Sequence, residues 1–211
     1  MHDPKQNPYV GPRSFEEEDR PNFFGRDEEE RQLTSLVVSH RVVLLYAPSG
    51  AGKTSLLKAG VIPSLKEGEE LEVLPIARVG GDPPPGVDRN QVKNIYVFNT
   101  LVNLAGEKAQ PDKLVGLNLQ EGLRPYLERS AEEERLVPQL LVLDQFEELF
   151  TTHPDRYEER AVFFLQLQKC LGDYPQLSLL LSMREDYIAY LDFYAGQMPE
   201  IACALASGWN Y

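Results

Sequence analysis

The stretch that most constrains this chain is Ala47-Pro-Ser-Gly-Ala-Gly-Lys-Thr54. An apolar run, Val42-Val-Leu-Leu-Tyr46, precedes it, and Ser55-Leu-Leu57 begins a helical pattern after it. Strand, glycine-bearing loop and helix in that order form the context of a phosphate-binding loop. Gly50 and Gly52 allow the backbone to turn tightly and aim N–H groups inward. The new helix adds the positive end of its dipole. Lys53 can reach outer phosphates as a point charge, and the Thr54 hydroxyl can hold Mg²⁺. Pro48, Ser49, Gly50, Ala51, Gly52, Lys53, Thr54 and Ser55 are therefore the candidate phosphate-binding residues. Ala47 stands where the common pattern has its first glycine, which restricts the loop without blocking it.

The formal net charge of −12 argues against a general nucleic-acid binder, because phosphate neutralisation needs surplus Lys and Arg. Acidic clusters at 16–19, 27–30, 67–72 and 132–134 read as solvated loops and helix faces. Two cysteines, Cys170 and Cys203, and three scattered histidines, His2, His40 and His153, build neither a zinc site nor a disulfide framework. Reduced thiols, a polar N-terminus and the lack of an apolar run near the ~18 residues a bilayer demands lead us to expect a soluble cytoplasmic protein without a membrane partner.

Along the chain, residues 1–22 carry four prolines (4, 8, 12 and 21) and read as an extended lead-in whose Tyr9, Val10 and Phe15 can pack on a domain. Phe23-Phe24-Gly25-Arg26-Asp27 follows. By residue physics it is an aromatic anchor before a surface helix over 28–38, with Asp27 as N-cap and Leu33, Leu36 and Val37 as its apolar stripe. Val42–Tyr46 shows no alternation, as expected of a strand buried on both faces of a parallel sheet. The next helix should run from 53 to about 61 and bend or stop before Pro63. Residues 72–79 read as a strand, and Pro75 points to a sheet edge. A loop over 80–90 leads to a helix over 91–105, then to one that Asp112 opens. A strand over 140–143 and a helix from Pro154 or Asp155 to about Leu171, closed by Gly172, come next. Its core face is read as Ala161, Phe164, Leu165 and Leu167. A strand over 177–181 completes the pattern. The alternation implies an α/β fold of the P-loop NTPase type, three layers (α/β/α) with a mostly parallel sheet. The division is 1–22 lead-in, 23–190 NTPase domain and 191–211 atypical tail, which leaves the core incomplete at its C-terminal end.

Leu140–Leu143 running into Asp144 supplies the second chemical feature. A carboxylate at the C-terminal end of a strand beside the P-loop strand can hold Mg²⁺ through water, as Walker-B aspartates do. Glu147 and Glu148 are the candidates to orient or deprotonate an attacking water. Gln145 replaces the acid that commonly follows such an aspartate. Arg184, just beyond the next strand, can contact a γ-phosphate or pair with Glu185 or Asp186.

With these residues in hand, the chain resembles the NTPase domain of the novel STAND proteins, signal-transduction ATPases related to the NACHT and apoptotic-ATPase groups. The resemblance is carried by Asn7-Pro-Tyr-Val-Gly-Pro-Arg-Ser-Phe15, Phe23-Phe-Gly-Arg-Asp27, the P-loop with Ser55-Leu-Leu-Lys-Ala-Gly-Val-Ile-Pro63, Leu143-Asp-Gln-Phe-Glu-Glu-Leu-Phe150 and Arg184-Glu-Asp-Tyr187. It covers about residues 7–190. It implies Phe24, Gly25 and Arg26 near an adenine, Arg184 as a sensor arginine, ATP or ADP with Mg²⁺ as cofactors, and a switch that self-associates or engages a protein partner. A helical lid and a further core strand, expected after the sensor in such proteins, are not legible in 191–211. A catalytically inactive interaction module is the competing expectation. A small-molecule kinase and a GTPase fit less well, since no lid with paired arginines and no Asn-Lys-x-Asp motif occurs.

Overall fold

The computed structural model describes residues 13–68, 71–128, 137–198 and 201–205. Its centre is a five-stranded parallel sheet in the order β2-β3-β4-β1-β5. The strands are β1 (Val42–Ala47), β2 (Glu72–Val73), β3 (Gln139–Leu143), β4 (Leu177–Arg184) and β5 (Ala202–Leu205). Continuous apolar runs in β1, β3 and β4 suit burial on both faces.

Alternate residues divide between two cores. Leu44, Leu141, Leu143, Leu179 and Leu181 pack with residues of three helices, Ile95–Ala105, Leu119–Leu127 and Glu158–Asp173. Val43, Leu45, Leu140, Val142 and Leu180 face Leu33 and Val37 of α1 (Asp27–Ser39) and Leu56, Leu57, Val61 and Leu65 of the helix after the P-loop. The expected three layers follow from this period-two division. Each fully buried leucine contributes about 2 kcal/mol through area removed from water.

Several local details differ from the sequence reading. The helix after the P-loop, α2, does not end before Pro63. It starts as Lys53–Ser55, widens into a π-helical segment over Leu56–Val61, and resumes as Ile62–Glu67. The wider turn accommodates a proline that lacks an N–H and would otherwise collide with the preceding turn. Asp27 is the first residue of α1 rather than its cap, a position held by Arg26. The helix expected over 91–105 begins at Ile95, because the Asn94 side chain accepts from the N–H groups of Tyr96 and Val97. Asp112 lies in a four-residue helix, and the longer helix Leu119–Leu127 is opened by Asn118 in a capping box with Glu121. In the helix Glu158–Asp173, Gly172 is internal and Phe163, Phe164, Leu167, Cys170 and Leu171 form the buried side, while Leu165 is exposed. Burial pushes the Cys170 thiol up to about 12, so it acts as core packing rather than as a reactive group.

The β2 strand is the edge that Pro75 foretold, though it is interrupted. Leu74 N–H still bonds Leu140 O, and Ala77 rejoins β3 by bonding Val142 O. The last core strand, expected to be missing, is supplied by Ala202–Leu205, which runs parallel to β1 from Val43 to Tyr46. Phe15 packs on Phe23 at 5.4 Å between ring centroids. Tyr9 and Val10, and the acidic cluster at 132–134, lie outside the described residues. No helix among the described residues is long and apolar enough to cross a membrane.

Candidate functional site

The C-terminal ends of parallel strands are where α/β sheets bind ligands, since loops there splay apart and helix N-termini point inward. At that edge a cleft of about 300 Å³ is lined by Ser49, Gly50, Gly52, Lys53, Thr54, Ser55, Asp144, Gln145, Glu147 and Arg184, together with Arg13 and Ser14. Gly50 and Gly52 hold φ of 79° and 77°, the left-handed region that side chains disfavour. A Cβ at either position would meet nothing within 4 Å, so the constraint is backbone conformation and open access rather than crowding. Ala51 N–H closes the loop onto Pro48 O at 3.3 Å.

Lys53 Nζ donates to the carbonyls of Ala47 and Pro48 at 3.0 and 3.1 Å. Burial lowers its pKa, and Glu147 and Asp144 partly oppose that shift. A cation held on two of its own loop carbonyls has lost water it would regain as contacts to an anion.

Thr54 Oγ1 donates to Asp144 Oδ2 at 2.7 Å. Asp144 is 4% exposed, and its other oxygen, Oδ1, is buried with no hydrogen-bond partner among the described residues. An orphaned carboxylate oxygen beside a hydroxyl oxygen is a donor set for a hard divalent cation, and such burial is costly until it is satisfied. Thr54 and Asp144 therefore fit Mg²⁺.

The strand carrying Asp144 is not beside the P-loop strand as the sequence suggested. Strand β4 lies between them, so β1 and β3 stand roughly 10 Å apart. The P-loop crosses the end of β4 to bring Thr54 to Asp144. Arg184 ends that intervening strand, paired in register with Ala47, and so sits under the middle of the cleft. Its guanidinium bonds Asp186 and stacks over the Tyr187 ring at 5.5 Å, while its Nε is buried without a hydrogen-bond partner among the described residues. The alternative of an acidic neighbour is thus realised at a residue that also lines the cleft.

The two glutamates separate. Glu147 lines the cleft and its Oε2 accepts from Arg184 N–H at 3.2 Å. Glu148 turns away to pair with Arg78 and does not line the cleft. Phe24 is exposed, and neither it nor Gly25 lines the cleft, but Arg26 Nη2 bonds Ala51 O at 3.1 Å from behind the P-loop. Arg13 and Ser14 were not singled out for the site. They lie within the stretch that carried the resemblance, but nothing in their spacing aims them at a loop some 35 residues on.

Gln145 takes φ of 53°, the sole positive-φ residue other than glycine among the described residues. The turn lifts Phe146 so that its N–H reaches Ser182 O at 2.8 Å. Left-handed geometry costs about 1–2 kcal/mol for an L side chain, more than the 0.5–1 kcal/mol of extra chain entropy that a glycine loses. Gln145→Gly is therefore expected to stabilise the fold by about 0.5 kcal/mol, read by urea unfolding, whereas Gln145→Val is expected to destabilise it.

Comparison with known proteins identifies the chain. The family described as novel STAND NTPase 1 matches residues 8–207. The chain belongs to that family. It is thus a nucleotide-binding NTPase domain of the STAND type, and the match extends through β5. No curated protein matches it. Among solved structures, the ORC2 protein of Aeropyrum pernix, determined as ADPNP–ADP complexes, is similar with a TM-score of 0.56 and 17% identity. That likeness covers 94% of this chain and 50% of the other, so the STAND domain spans half the length of that protein. At such identity the likeness shows a shared fold.

Proposed function

We propose that this domain is an ATP-binding nucleotide switch with slow, Mg²⁺-dependent ATP hydrolysis. The observation that carries the reading is Thr54 on Asp144 at 2.7 Å, with Asp144 Oδ1 buried and unpartnered beside Lys53 and the P-loop amides. Pro48 to Ser55 would wrap the phosphates. Lys53 would exchange its own loop carbonyls for outer phosphate oxygens. Thr54 and Asp144 would hold Mg²⁺, which supplies positive charge to those oxygens when bound. Glu147 would orient the attacking water and accept its proton, since it is the glutamate that faces the cleft. Arg184 would respond to a terminal phosphate, and Asp186 competes for the same guanidinium. Phe24, Gly25 and Arg26 would border the base, with Arg26 fixing that segment to Ala51. The relative's complexes with ADPNP and ADP agree with adenine nucleotides. Association of copies in the ATP state belongs to the same reading.

Calorimetric titration with Mg-ATP and Mg-ADP, followed by single-site turnover, tests it. Saturable binding is expected. Glu147→Gln is expected to slow hydrolysis by about 10²-fold while retaining binding, the usual loss for a general base. Glu148→Gln should leave turnover near wild type. No binding by a folded wild type overturns the switch reading, and equal losses from both glutamates overturn the assignment of the base.

A further inference from the structure

The segment preceding α1 is fastened along the P-loop helix at successive turns. Phe15 N–H donates to Ser55 Oγ at 3.1 Å. Lys58 Nζ meets Glu16 at 2.8 Å, and Lys66 Nζ meets Glu17 at 2.7 Å. Arg20 reaches Ser64 Oγ at 3.0 Å and Glu67 at 2.7 Å. A strap anchored in this way keeps a fixed position relative to Thr54 and Ser55, and its leading end, Arg13 and Ser14, forms part of the cleft wall.

Arg13 is held there in a set geometry. Its two terminal nitrogens bond both oxygens of Asp19 at 2.5 and 2.9 Å, and Nη1 also bonds Ser14 O at 2.9 Å. Asp19 accepts in turn from Glu16 N–H at 2.8 Å, within the capping box that opens the strap's short 3₁₀ helix. The arginine is half exposed, so the pair with Asp19 contributes little to stability. Its effect is orientation, because a preorganised guanidinium loses less entropy when it binds an oxyanion. With Lys53 and Arg184 it sets three cationic side chains in the cleft wall, Arg13 and Arg184 each held by a neighbouring carboxylate, Asp19 and Asp186.

We propose that Arg13 is a nucleotide-binding residue contributed by the N-terminal strap, a phosphate ligand outside the P-loop, with Asp19 as its positioning residue. This rests on the nucleotide reading above. The strap thereby couples the occupied cleft to the helix after the P-loop, along which it is fastened.

The full chain is titrated with Mg-ADP as wild type, Arg13→Ala and Arg13→Gln, at low and at high salt, with melting curves recorded without nucleotide. Loss of one charge-assisted contact is expected to weaken binding about tenfold in both variants. The deficit should shrink at high salt, where a charge contact is screened and a packing defect is not. Melting should match wild type. Arg13→Gln keeps a donor toward Asp19, so instability of one variant leaves the other to decide. Wild-type affinity in a folded variant, or a deficit that salt does not change, overturns the role of Arg13 and leaves the switch reading standing. Failure of wild type to bind Mg-ADP overturns both.

Discussion

Lys53→Ala is expected to weaken Mg-ATP binding by at least about a hundredfold, on the order of 3 kcal/mol, the scale for truncating one partner of a buried charge pair. The same substitution should not destabilise the fold. Lys53 is partly desolvated and its pKa is lowered by that burial, so its charged form is disfavoured in the folded chain relative to the unfolded one. At neutral pH the protonated side chain therefore opposes folding. This cost fades as pH rises through the lowered pKa, and replacement by alanine removes it altogether. Calorimetry and thermal melting together test the pair of expectations. Lost binding with an unchanged or raised melting temperature supports a lysine kept for a ligand. Lost binding with a collapsed melting temperature would make Lys53 a structural residue that ties down Ala47 and Pro48.

Features set by short-range pattern were legible in the sequence. The P-loop between an unbroken apolar strand and a helix, Asp144 at the end of Leu140–Leu143, and the α/β alternation all follow from local spacing. What was missed depends on distance in the chain or on a choice between equals. Nothing in Gln145-Phe-Glu147-Glu148 says which glutamate faces the cleft. The choice is made by Arg78, which captures Glu148 from 70 positions upstream. The insertion of β4 between β1 and β3 is a property of strand order, which periodicity does not encode. Asn94 and Asn118 were passed over as caps because helical spacing continues on both sides of them. Strand β5 reads Ala-Cys-Ala-Leu, too short and small-residued to declare itself without β1 beside it.

A large effect on stability is expected at Gly80, because the Glu148 side chain that turns away from the cleft packs against it. A Cβ at Gly80 would lie 2.5 Å from Glu148 Oε2, 2.6 Å from its Cβ and 2.8 Å from its Cδ. The loop has no slack to retreat. Asn99 Nδ2 donates to Val79 O and Gly81 O at 3.1 and 2.9 Å, and His153 Nε2 bonds Gly81 O at 2.8 Å. Glu148 must therefore move, breaking its pair with Arg78 and dragging the turn that presents Glu147. Overpacking of this kind costs about 2 kcal/mol, so Gly80→Ala should lower the melting temperature by roughly 4–8 °C. Glu148→Ala in the same chain removes the two oxygen-side clashes but leaves its Cβ in place. Only part of the loss should return, and the two substitutions should couple by at least about 0.5 kcal/mol in a double-mutant cycle. Additive effects would mean that Gly80 and Glu148 do not press on one another, and the turn carrying Glu147 would then be free of the β2 edge. Coupling accompanied by slowed ATP turnover in Gly80→Ala would tie that edge to the orientation of Glu147, the base in the proposed reading.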